Sequence, residues 1–546
     1  MNYFTIKRNF FLVPQANILG EFEKIDKFMK LLENSGVGKI IKSVKLEKNI
    51  CKSNQGNPGY NPYNMFAAII YCFAKFKASL RDIEDKCFFD VRVMYIMEGK
   101  VPDHSTIGDF INDYFLPYQY EIFTMINKQI VKELLLDISD TFVDGTKLEA
   151  NANKYKFVWK PTKFHKKLDE KIKSYLIELG YENIKNKEDL IKAYELKEII
   201  EAYVEANNID INNIPNGRGK RLTSEQKNYK LGYHYLLKII DYEEKEEICG
   251  NNRNSYFKTD YDATAMVLKE DYYSKLSHDF HAGYNIQALV SSGLIMMYGV
   301  FQDRADYYTL IPMLKLYKNY YGFYPKNLGA DAGYGIFINY QFLKENEINN
   351  YVKFQNWKVE ANGKNPQLFY TFNDGVLCLN ANIGEEIKFS NNHQKEQKTK
   401  RYKFIGCNNC GYAYICKSKL KQENKEKDYR IVELNPKYEI FKEEARNNLL
   451  NPKGIEMRIN RSIQSEGTFG QIKYNMDYDR IRRRGLNKVS CEIMLECLGV
   501  NIRRYLKSLN NEIEFKNSYW NSSTTLHSEK FPSVKQKKKL WRNLIT

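Results

Sequence analysis

The sequence predicts a mixed α/β core with flanking helices, preceded by an all-α N-terminal domain. Two short apolar runs, 141–143 and 328–330, are each followed directly by an aspartate and are typical of buried strands. The first 135 residues show helical spacing instead. A chain of 546 residues exceeds a single hydrophobic core. The predicted parts are a helical domain (1–135), an α/β domain (136–510) with a helical insertion (160–255) and a Cys-rich insertion (356–435), and a basic, mobile tail (511–546).

The N-terminal domain is predicted to consist of short helices joined by tight turns. Asn61-Pro62 is a helix start, with Asn as the cap and Pro at the first helical position. Ser79 caps a second helix over 80–89, and a third helix covers 91–97. A fourth helix starts at 102–106 and continues through Phe110. This pattern fits a helix-turn-helix-like DNA-binding domain. A helical bundle that only packs or dimerises fits it equally well.

The α/β domain is predicted to contain a hairpin and several helices. Strands over 284–290 and 294–301, joined by Ser-Ser-Gly, form the hairpin, and a helix over 307–317 leads to the second aspartate-bearing strand. In the helical insertion, Thr223 followed three residues later by Gln226 is a capping box. Further helices are predicted over 437–450, 455–475 and 489–508.

Three acidic residues lie in distinctive local patterns and are the candidate catalytic residues. Asp144 and Asp331 each follow an apolar run, so each is expected at the C-terminal end of a buried strand, where Gly145 or Gly333 turns the chain away. Glu466 lies in a stretch with helical spacing. Acids that converge at a sheet edge suit Mg²⁺ or Mn²⁺, and two such ions can clamp a phosphoryl displacement. The pattern indicates cutting and joining of nucleic acid strands.

Each acid also has an ordinary structural interpretation, since Asp-Gly pairs are common in turns. Glu466 is the most informative of the three. Gly467 and Gly470 stand inside its helical pattern, at a cost of about 1 kcal/mol each relative to Ala. Such a cost is expected where the helix backbone closely approaches the sheet or a DNA strand.

The basic residues predict a polyanionic partner. Lys and Arg outnumber Asp and Glu by 84 to 67, a net charge of +17, and residues 451–546 alone hold 19 against 9. Such a surface attracts nucleic acid through counterion release. A lysine-rich codon bias and a solvated helix face are the alternatives. The candidate phosphate contacts are Arg461, Lys473, Arg482, Arg483 and Arg484.

Taken in order, the motifs resemble those of the DDE transposases of bacterial insertion sequences, over roughly residues 55–505. The resemblance implies an RNase H-like catalytic core in which Asp144, Asp331 and Glu466 bind two Mg²⁺ or Mn²⁺ ions. It also implies a transposase that cleaves and joins the ends of its own insertion sequence. The segments that carry the resemblance are Pro102–Phe110, Asp144–Asn153, Phe157–Trp159, Thr259–Ala263, Tyr284–Gln287, Ala330–Tyr334 and the region around Glu466.

The resemblance further implies partners and a location. We expect double-stranded DNA, as terminal inverted repeats and as target, bound by a homodimer in a bacterial cytoplasm and associated with the nucleoid. No apolar run reaches the roughly 20 residues of a membrane span, so no membrane partner is expected. Two alternatives stay open: a stand-alone RNase H-like nuclease, and a domesticated, catalytically inactive DNA-binding protein.

One step of the family signature differs in this chain. The signature places Tyr, Arg, Glu and Lys at fixed steps, with Arg four residues before Glu. Ser462 occupies that position here, Arg461 is one residue earlier, and no Tyr precedes them. The step from Glu466 to Lys473 is intact.

A group of cysteines forms a second candidate site. Cys407 and Cys410 form a C-x₂-C pair, and Cys416 and Cys378 complete four thiolates at spacings compatible with zinc. Similar cysteines occur in the related transposases, and this resemblance implies a structural Zn²⁺. Reduced cysteines in a loosely packed insertion are the alternative.

Overall fold

A computed structural model gives the fold of the chain. The predicted tail, 511–546, lies almost wholly outside the part that it describes. None of the helices in the described part combines the length and apolar content that crossing a membrane would need. The structure describes residues 3–4, 19–49, 59–76, 79–215, 221–251, 253–268, 280–361, 367–372, 375–387, 399–418, 420–509, 513 and 515.

The N-terminal part is helical, and its predicted helix starts are confirmed. Asn61 caps α3 by accepting a hydrogen bond from the Tyr63 amide, and Ser79 forms a capping box with Asp82 at the start of α4. Asp103 caps α6, and a π-helical turn follows it. The helices are α1 (Leu19–Ser35), α2 (Gly38–Asn49), α3 (Pro62–Lys75), α4 (Leu80–Phe89), α5 (Val91–Ile96), α6 (His104–Phe110) and α7 (Gln119–Glu133).

The first eight strands form a six-stranded sheet and a separate two-stranded ribbon. They are β1 (Asp140–Glu149), β2 (Phe157–Trp159), β3 (Ser255–Phe257), β4 (Thr264–Val267), β5 (Phe280–Ser291), β6 (Leu294–Phe301), β7 (Asn327–Ala330) and β8 (Asn349–Val352). The large sheet has the order β4-β5-β1-β7-β8, with β6 also paired to β5, and β2 pairs with β3. Strands β1, β7 and β8 are parallel, and β5 is antiparallel to β1. This mixed sheet with flanking helices is compatible with an RNase H-like core.

The predicted hairpin is confirmed as β5 and β6. Its turn contains Ser292 and Gly293, both at positive φ (47° and 81°). Two consecutive residues of this kind are what a tight hairpin turn requires, because its twist then matches that of the strands.

The helical insertion has a hydrophobic core of its own, which includes Ile172, Leu196 and Ile239. Its helices are α8 (Thr162–Glu178), α9 (Ala193–Ala206) and α10 (Ser224–Cys249). The predicted capping box at the start of α10 is confirmed, since Thr223 and Gln226 each accept a hydrogen bond from the other's amide.

Further helices and strands flank the large sheet or form the Cys-rich region. The predicted helix at 307–317 begins at Leu310, because Asp306–Tyr308 forms a 3₁₀ turn. In the Cys-rich region, Val376, Tyr402 and Phe404 form a small core. The elements are α11 (Leu310–Tyr321), α12 (Phe337–Glu345), α13 (Trp357–Ala361), β9 (Phe369–Phe372), β10 (Gly375–Cys378), β11 (Glu385–Ile387), β12 (Lys400–Ile405), α14 (Ala413–Cys416), α15 (Gln422–Lys425) and β13 (Tyr429–Leu434).

The C-terminal helices agree with the three predicted ones. They are α16 (Pro436–Leu450), α17 (Pro452–Arg461), α18 (Gly467–Gly470) and α19 (Leu486–Ser508). Two π-helical turns, Ser462–Glu466 and Gln471–Asn475, stand before and after α18. Helices α17 and α18 and these two π-helical turns together form the helical stretch predicted over 455–475.

Helix α19 joins the N-terminal helices to the large sheet. A Cβ atom on Gly499 of α19 would lie only 2.5 Å from the carbonyl oxygen of Phe73 in α3, so the two helices meet backbone to backbone. One continuous hydrophobic core contains buried residues of α3, α19 and the sheet. Residue 135 therefore marks a change of secondary structure and not a break in packing.

One predicted position is wrong. Asp144 was expected to end its strand, with Gly145 turning the chain away, but β1 continues to Glu149. Gly145 stays in the strand because it pairs with Gln287 of β5, whose side chain covers the place where a Cβ would stand, 2.1 Å from Nε2. What ends near Asp144 is the parallel pairing with β7, which extends only to Phe142.

Candidate active site

Asp144 on β1 and Asp331 directly after β7 stand just beyond the parallel pairing of these two neighbouring strands. Phe142 of β1 is paired with Gly329 of β7, and each aspartate stands two residues further along its chain. Adjacent strands are about 4.8 Å apart, and residues at the same level of a parallel pair face the same side of the sheet. Asp331 is the first residue after β7, as predicted, and its carboxylate accepts the Gly333 amide at 2.8 Å.

Burial gives Asp144 an unusual protonation equilibrium. It raises the pKa of Asp144 to about 6, opposed by the positive charge of Arg461 and by the hydrogen bond from the Gly145 amide. The negative charges of Asp331 and Glu466 raise that pKa further. All three predicted acids therefore lie within electrostatic reach of one another.

Glu466 contacts Arg461 across a π-helical turn. Arg461 Nη2 lies 2.9 Å from Glu466 Oε1, and Nη1 of the same guanidinium lies 3.9 Å from Asp144 Oδ2. Arg461 is almost buried, whereas 60% of the Glu466 side chain is exposed. The arginine therefore lies between two of the three acids.

The glycines next to Glu466 do not approach the sheet. A Cβ built on Gly467 or on Gly470 would meet nothing within 4 Å. The expectation that their backbone packs closely against the sheet is wrong. The surface beside Glu466 is open at both positions.

A polar network beneath the aspartates was missed by the sequence analysis. Gln287 of β5 donates to Asn285 Oδ1 at 2.8 Å and to Asp306 Oδ1 at 3.0 Å, and it accepts a hydrogen bond from the Tyr334 hydroxyl. Asn285 also donates to Asp306, at 2.9 Å. A signal was available, because Asn285 and Gln287 are polar residues on one face of an otherwise apolar strand.

The predicted basic residues fall into two places. Lys473 lies at the sheet, where its ammonium donates to the carbonyl of Lys147 on β1 at 3.3 Å. Arg482, Arg483 and Arg484 lie beyond the end of β1, where Asn151 donates to the Arg482 carbonyl at 2.7 Å. Arg461 thus contacts Asp144 and Glu466, Lys473 contacts β1 three residues beyond Asp144, and the three consecutive arginines lie further along.

The four predicted cysteines come together. Cys378, Cys407, Cys410 and Cys416 line one cavity of about 20 Å³. Burial raises the pKa of Cys407, opposed by the charge of Lys417, and the other three cysteines raise it further. Arg430 donates to the sulfur of Cys416 at 2.7 Å.

The acids and the cysteines are close together but are not arranged as a ready-made metal site in the described part of the chain. In the described part of the chain, no group of three or more His, Cys, Asp or Glu side chains already stands in an arrangement that could hold a metal ion. At the acids, the guanidinium of Arg461 occupies part of the space between Asp144 and Glu466. The donor chemistry nevertheless fits, since carboxylate oxygens suit Mg²⁺ and thiolates suit Zn²⁺.

The fold and these acids define an α/β protein with a carboxylate site on a mixed sheet. Two segments match known families: residues 378–506 match the family described as "Transposase DDE domain", and residues 21–113 match "Transposase domain (DUF772)". No curated protein and no solved structure is detectably similar to the chain. The two matches support a DDE transposase of an insertion sequence.

The two matched segments bear on the site. DDE transposases are enzymes of transposition that act on DNA, and the family generally uses divalent metals. Glu466 and the cysteines lie within the first matched segment, whereas Asp144 and Asp331 lie outside both. The roles of these two aspartates rest on their geometry.

Proposed function

We propose that this chain cleaves and joins the ends of its own insertion sequence, with Asp144, Asp331 and Glu466 as catalytic residues. The observation that carries the proposal is that Asp144 and Asp331 each stand two residues beyond the paired Phe142 and Gly329 of β1 and β7, close enough for the charge of Asp331 to raise the pKa of Asp144. Glu466 adds a third carboxylate close enough to raise the pKa of Asp144.

The three carboxylates would hold two Mg²⁺ or Mn²⁺ ions, which supply electrostatic stabilisation of the attacking and leaving oxygens when bound. Asp144 becomes a ligand by losing its proton, and Asp331 is already oriented by the Gly333 amide. Glu466 is largely exposed, so its side chain can turn from Arg461 toward the aspartates. Arg461 then stays beside Asp144 and offsets part of the negative charge.

The strand chemistry needs no covalent protein intermediate. A water molecule cleaves the phosphodiester at the element end, and the freed 3′-hydroxyl then attacks target DNA in its place. Lys473, which contacts β1 three residues beyond Asp144, would hold a phosphate on the same side of the reacting bond as Arg482, Arg483 and Arg484. Arg482, Arg483 and Arg484 would hold phosphates further away.

The experiment for this function uses the purified full chain, Mg²⁺ and duplexes that carry the terminal repeats flanking the gene. We expect cleavage at the repeat ends and joined products with a target plasmid. Cleavage without joined products would indicate a stand-alone nuclease. Specific binding without cleavage would indicate a DNA-binding protein that has lost catalysis.

We also propose that Cys378, Cys407, Cys410 and Cys416 bind a structural Zn²⁺. In support, the four thiols come from β10, from the loop after β12 and from α14, and they line a single small cavity. A shared ion there would tie these short elements together, since the three buried residues of their core are few.

A homodimer on DNA is the third part of the proposal, and helix α10 supports it. Tyr233, Leu237 and Ile240 are 46%, 50% and 46% exposed, at steps of four and three residues along one helix face. Lys227 lies in the first half of α10, and Glu244 and Glu247 lie in the second. Two copies related by a two-fold axis near Leu237 would run antiparallel, which places Lys227 of each helix beside Glu244 and Glu247 of the other.

The dimer is tested by sedimentation of the full chain with and without a terminal-repeat duplex. We expect Leu237→Glu to reduce the dimer fraction, and Ile440→Glu, on an equally exposed Ile of α16, to leave it unchanged. Equal dimer fractions for the two variants would remove α10 from the interface. Because chromosomal DNA would be the substrate, the proposed location is the bacterial nucleoid.

A further inference from the structure

A groove lies between the N-terminal helices and the segment that follows the second π-helical turn. It encloses about 450 Å³ and is open to solvent. Ser105, Asp109 and Asn112, from α6 and the turn after it, line one wall. The other wall carries four cations, Arg482, Arg483, Arg484 and Lys488.

The charge of this groove is strongly positive. Among the residues that line it, four carry cationic side chains and one, Asp109, is an acid, while Arg482 also interacts with the buried carboxylate of Glu492 behind the wall. Arg483 Nη1 donates to Asn112 Oδ1 at 3.0 Å, and Arg484 Nε donates to the carbonyl of Asn151 at 2.7 Å. Both acceptors are neutral amide groups, so these bonds orient the guanidinium groups without neutralising their charge.

The arginine segment is fixed by its backbone. The amides of Arg482 and Arg483 donate to the buried carboxylate of Glu492 on α19, at 3.1 Å and 2.8 Å. The amide of Ile481 donates to the carbonyl of Glu149 at 2.9 Å, which attaches the segment to the last residue of β1. The positive wall is therefore held in place before any ligand arrives, which lowers the entropy cost of binding an anion.

Strand β1 sets the distance from this groove to the acids. Asp144 and Glu149 are five residues apart on one strand, or about 17 Å at about 3.3 Å per residue. Asn151, at the groove, is two residues further along. One strand of DNA advances about 3.4 Å per nucleotide, so the groove lies about five to seven nucleotides from a phosphodiester placed at the acids.

We propose that this groove binds the sugar-phosphate backbone of duplex DNA about five to seven nucleotides from the cleaved bond. The inference rests on the proposed function, because it takes the acids as the position of that bond. The arginines and Lys488 pair with phosphates, and Ser105 and Asn112 supply hydrogen bonds from the N-terminal side. The N-terminal helices and the α/β domain thus form one DNA site together.

The test measures binding of the full chain to terminal-repeat duplexes without divalent metal. Each duplex carries one neutral methylphosphonate at a chosen position from 1 to 14 nucleotides from the predicted cleavage point. For the unmodified protein, we expect weakening of about three- to tenfold for methylphosphonates at positions five to seven. The double variant Arg483→Gln with Lys488→Gln should bind more weakly overall and lose its sensitivity at those positions.

The matched control removes two positive charges elsewhere, with Lys167→Gln and Lys171→Gln on the exposed face of α8. This variant should keep the sensitivity at positions five to seven. A double variant at the groove that keeps the same sensitive positions, or an unmodified protein whose sensitive positions lie elsewhere, would overturn the inference. Thermal unfolding checks that both variants fold.

The outcome is separable from that of the catalytic proposal, because no cleavage is measured. If the acids prove not to be catalytic, a sensitive window that disappears in the groove variant still establishes a DNA-backbone site, and only its distance from the cleaved bond is overturned. If the acids are catalytic and the window is unaffected by the groove variant, the groove assignment alone is wrong.

Discussion

Arg461 and Glu466 are hydrogen bonded although they are five positions apart, because the chain between them forms a π-helical turn. In an α-helix, side chains four residues apart make this contact, whereas a π-helical turn brings residues five apart to the same side. The family signature expects an arginine four residues before the glutamate. We propose that the extra residue and the π-helical turn offset each other, so that Arg461 takes the role of that arginine.

This relationship predicts that one residue of the turn is dispensable. Deleting Ile463, which is 45% exposed, should convert the turn to regular α-helix and keep the Arg461–Glu466 contact at a spacing of four. We expect strand cleavage within about tenfold of the unmodified protein, a change of at most about 1.4 kcal/mol in the barrier. The measurement is the rate of cleavage of a terminal-repeat duplex.

The matched deletion is Ile459, in the regular helix α17. Removing it rotates the preceding buried residues by about 100° relative to Arg461, so cleavage and stability should both fall sharply. If the two deletions reduce cleavage and stability equally, the π-helical turn does not accommodate the extra residue.

The second prediction concerns the acids. Asp144→Asn, Asp331→Asn and Glu466→Gln should each reduce cleavage by about 10³-fold or more, because each removes an anionic ligand worth several kcal/mol in the transition state. DNA affinity should change little, since it resides mainly in phosphate contacts. Glu201→Gln, on an exposed acid of α9, is the control. Any one of the three that cuts normally is not a catalytic residue.

The sequence was sufficient for the local structure at several helix starts. Caps at Asn61, Ser79 and Thr223 predicted helix starts correctly, because capping depends on neighbouring residues alone. The position of Asp144 within β1 was not predictable in this way. It depends on pairing with Gln287, a residue more than a hundred positions away, which keeps Gly145 in the strand.

Long-range packing also limited what could be predicted about the site. The network of Asn285, Gln287 and Asp306 forms between β5 and the segment after β6, and its partners are not adjacent in sequence. The joint groove of α6 and Arg482–Arg484 depends on how α19 packs against the N-terminal helices. Separate predictions for the two domains could not reveal a site that they share.

The third prediction concerns pH and a buried acid of α19. Complete burial raises the pKa of Glu496 to about 8, and the charge of Glu492 raises it further, while Arg482 and Arg503 oppose the shift. The folded pKa is above the unfolded value of about 4.3, so this group's contribution to stability is present at low pH and is lost as pH rises through about 8. Glu496→Gln does not titrate and should therefore gain stability relative to the unmodified protein across this range.

We expect the difference in unfolding free energy between the two proteins to grow by on the order of 3 kcal/mol between pH 5 and pH 8.5, with Glu496→Gln the more stable at high pH. Urea unfolding at several pH values measures it. A difference that is independent of pH would show that Glu496 ionises normally in the folded protein.

The fourth prediction concerns the cysteines. Protein prepared without chelator should contain about one zinc per chain, and Cys407→Ser with Cys410→Ser should abolish that zinc, because a thiolate pair forms half of a four-ligand site. Chelation should increase amide exchange first in β11, β12 and β13, whose core is small. Cys497→Ser, at a buried position of α19, should keep the zinc. Elemental analysis that finds no zinc in the unmodified protein would show that the four cysteines do not form a structural zinc site.

The fifth prediction concerns Arg482, Arg483 and Arg484 together. Neutralising all three with Gln should weaken binding to terminal repeats and to random DNA alike, because adjacent charges without base-reading partners respond to phosphates and not to sequence. The slope of log K against log salt concentration should flatten by up to about 3 units, close to one for each phosphate that the variant no longer neutralises. Preference for terminal repeats should persist, because we assign it to side chains of the N-terminal helices. A triple variant that keeps the full salt slope, or that loses its preference while binding random DNA normally, would show that these arginines read sequence or serve another role.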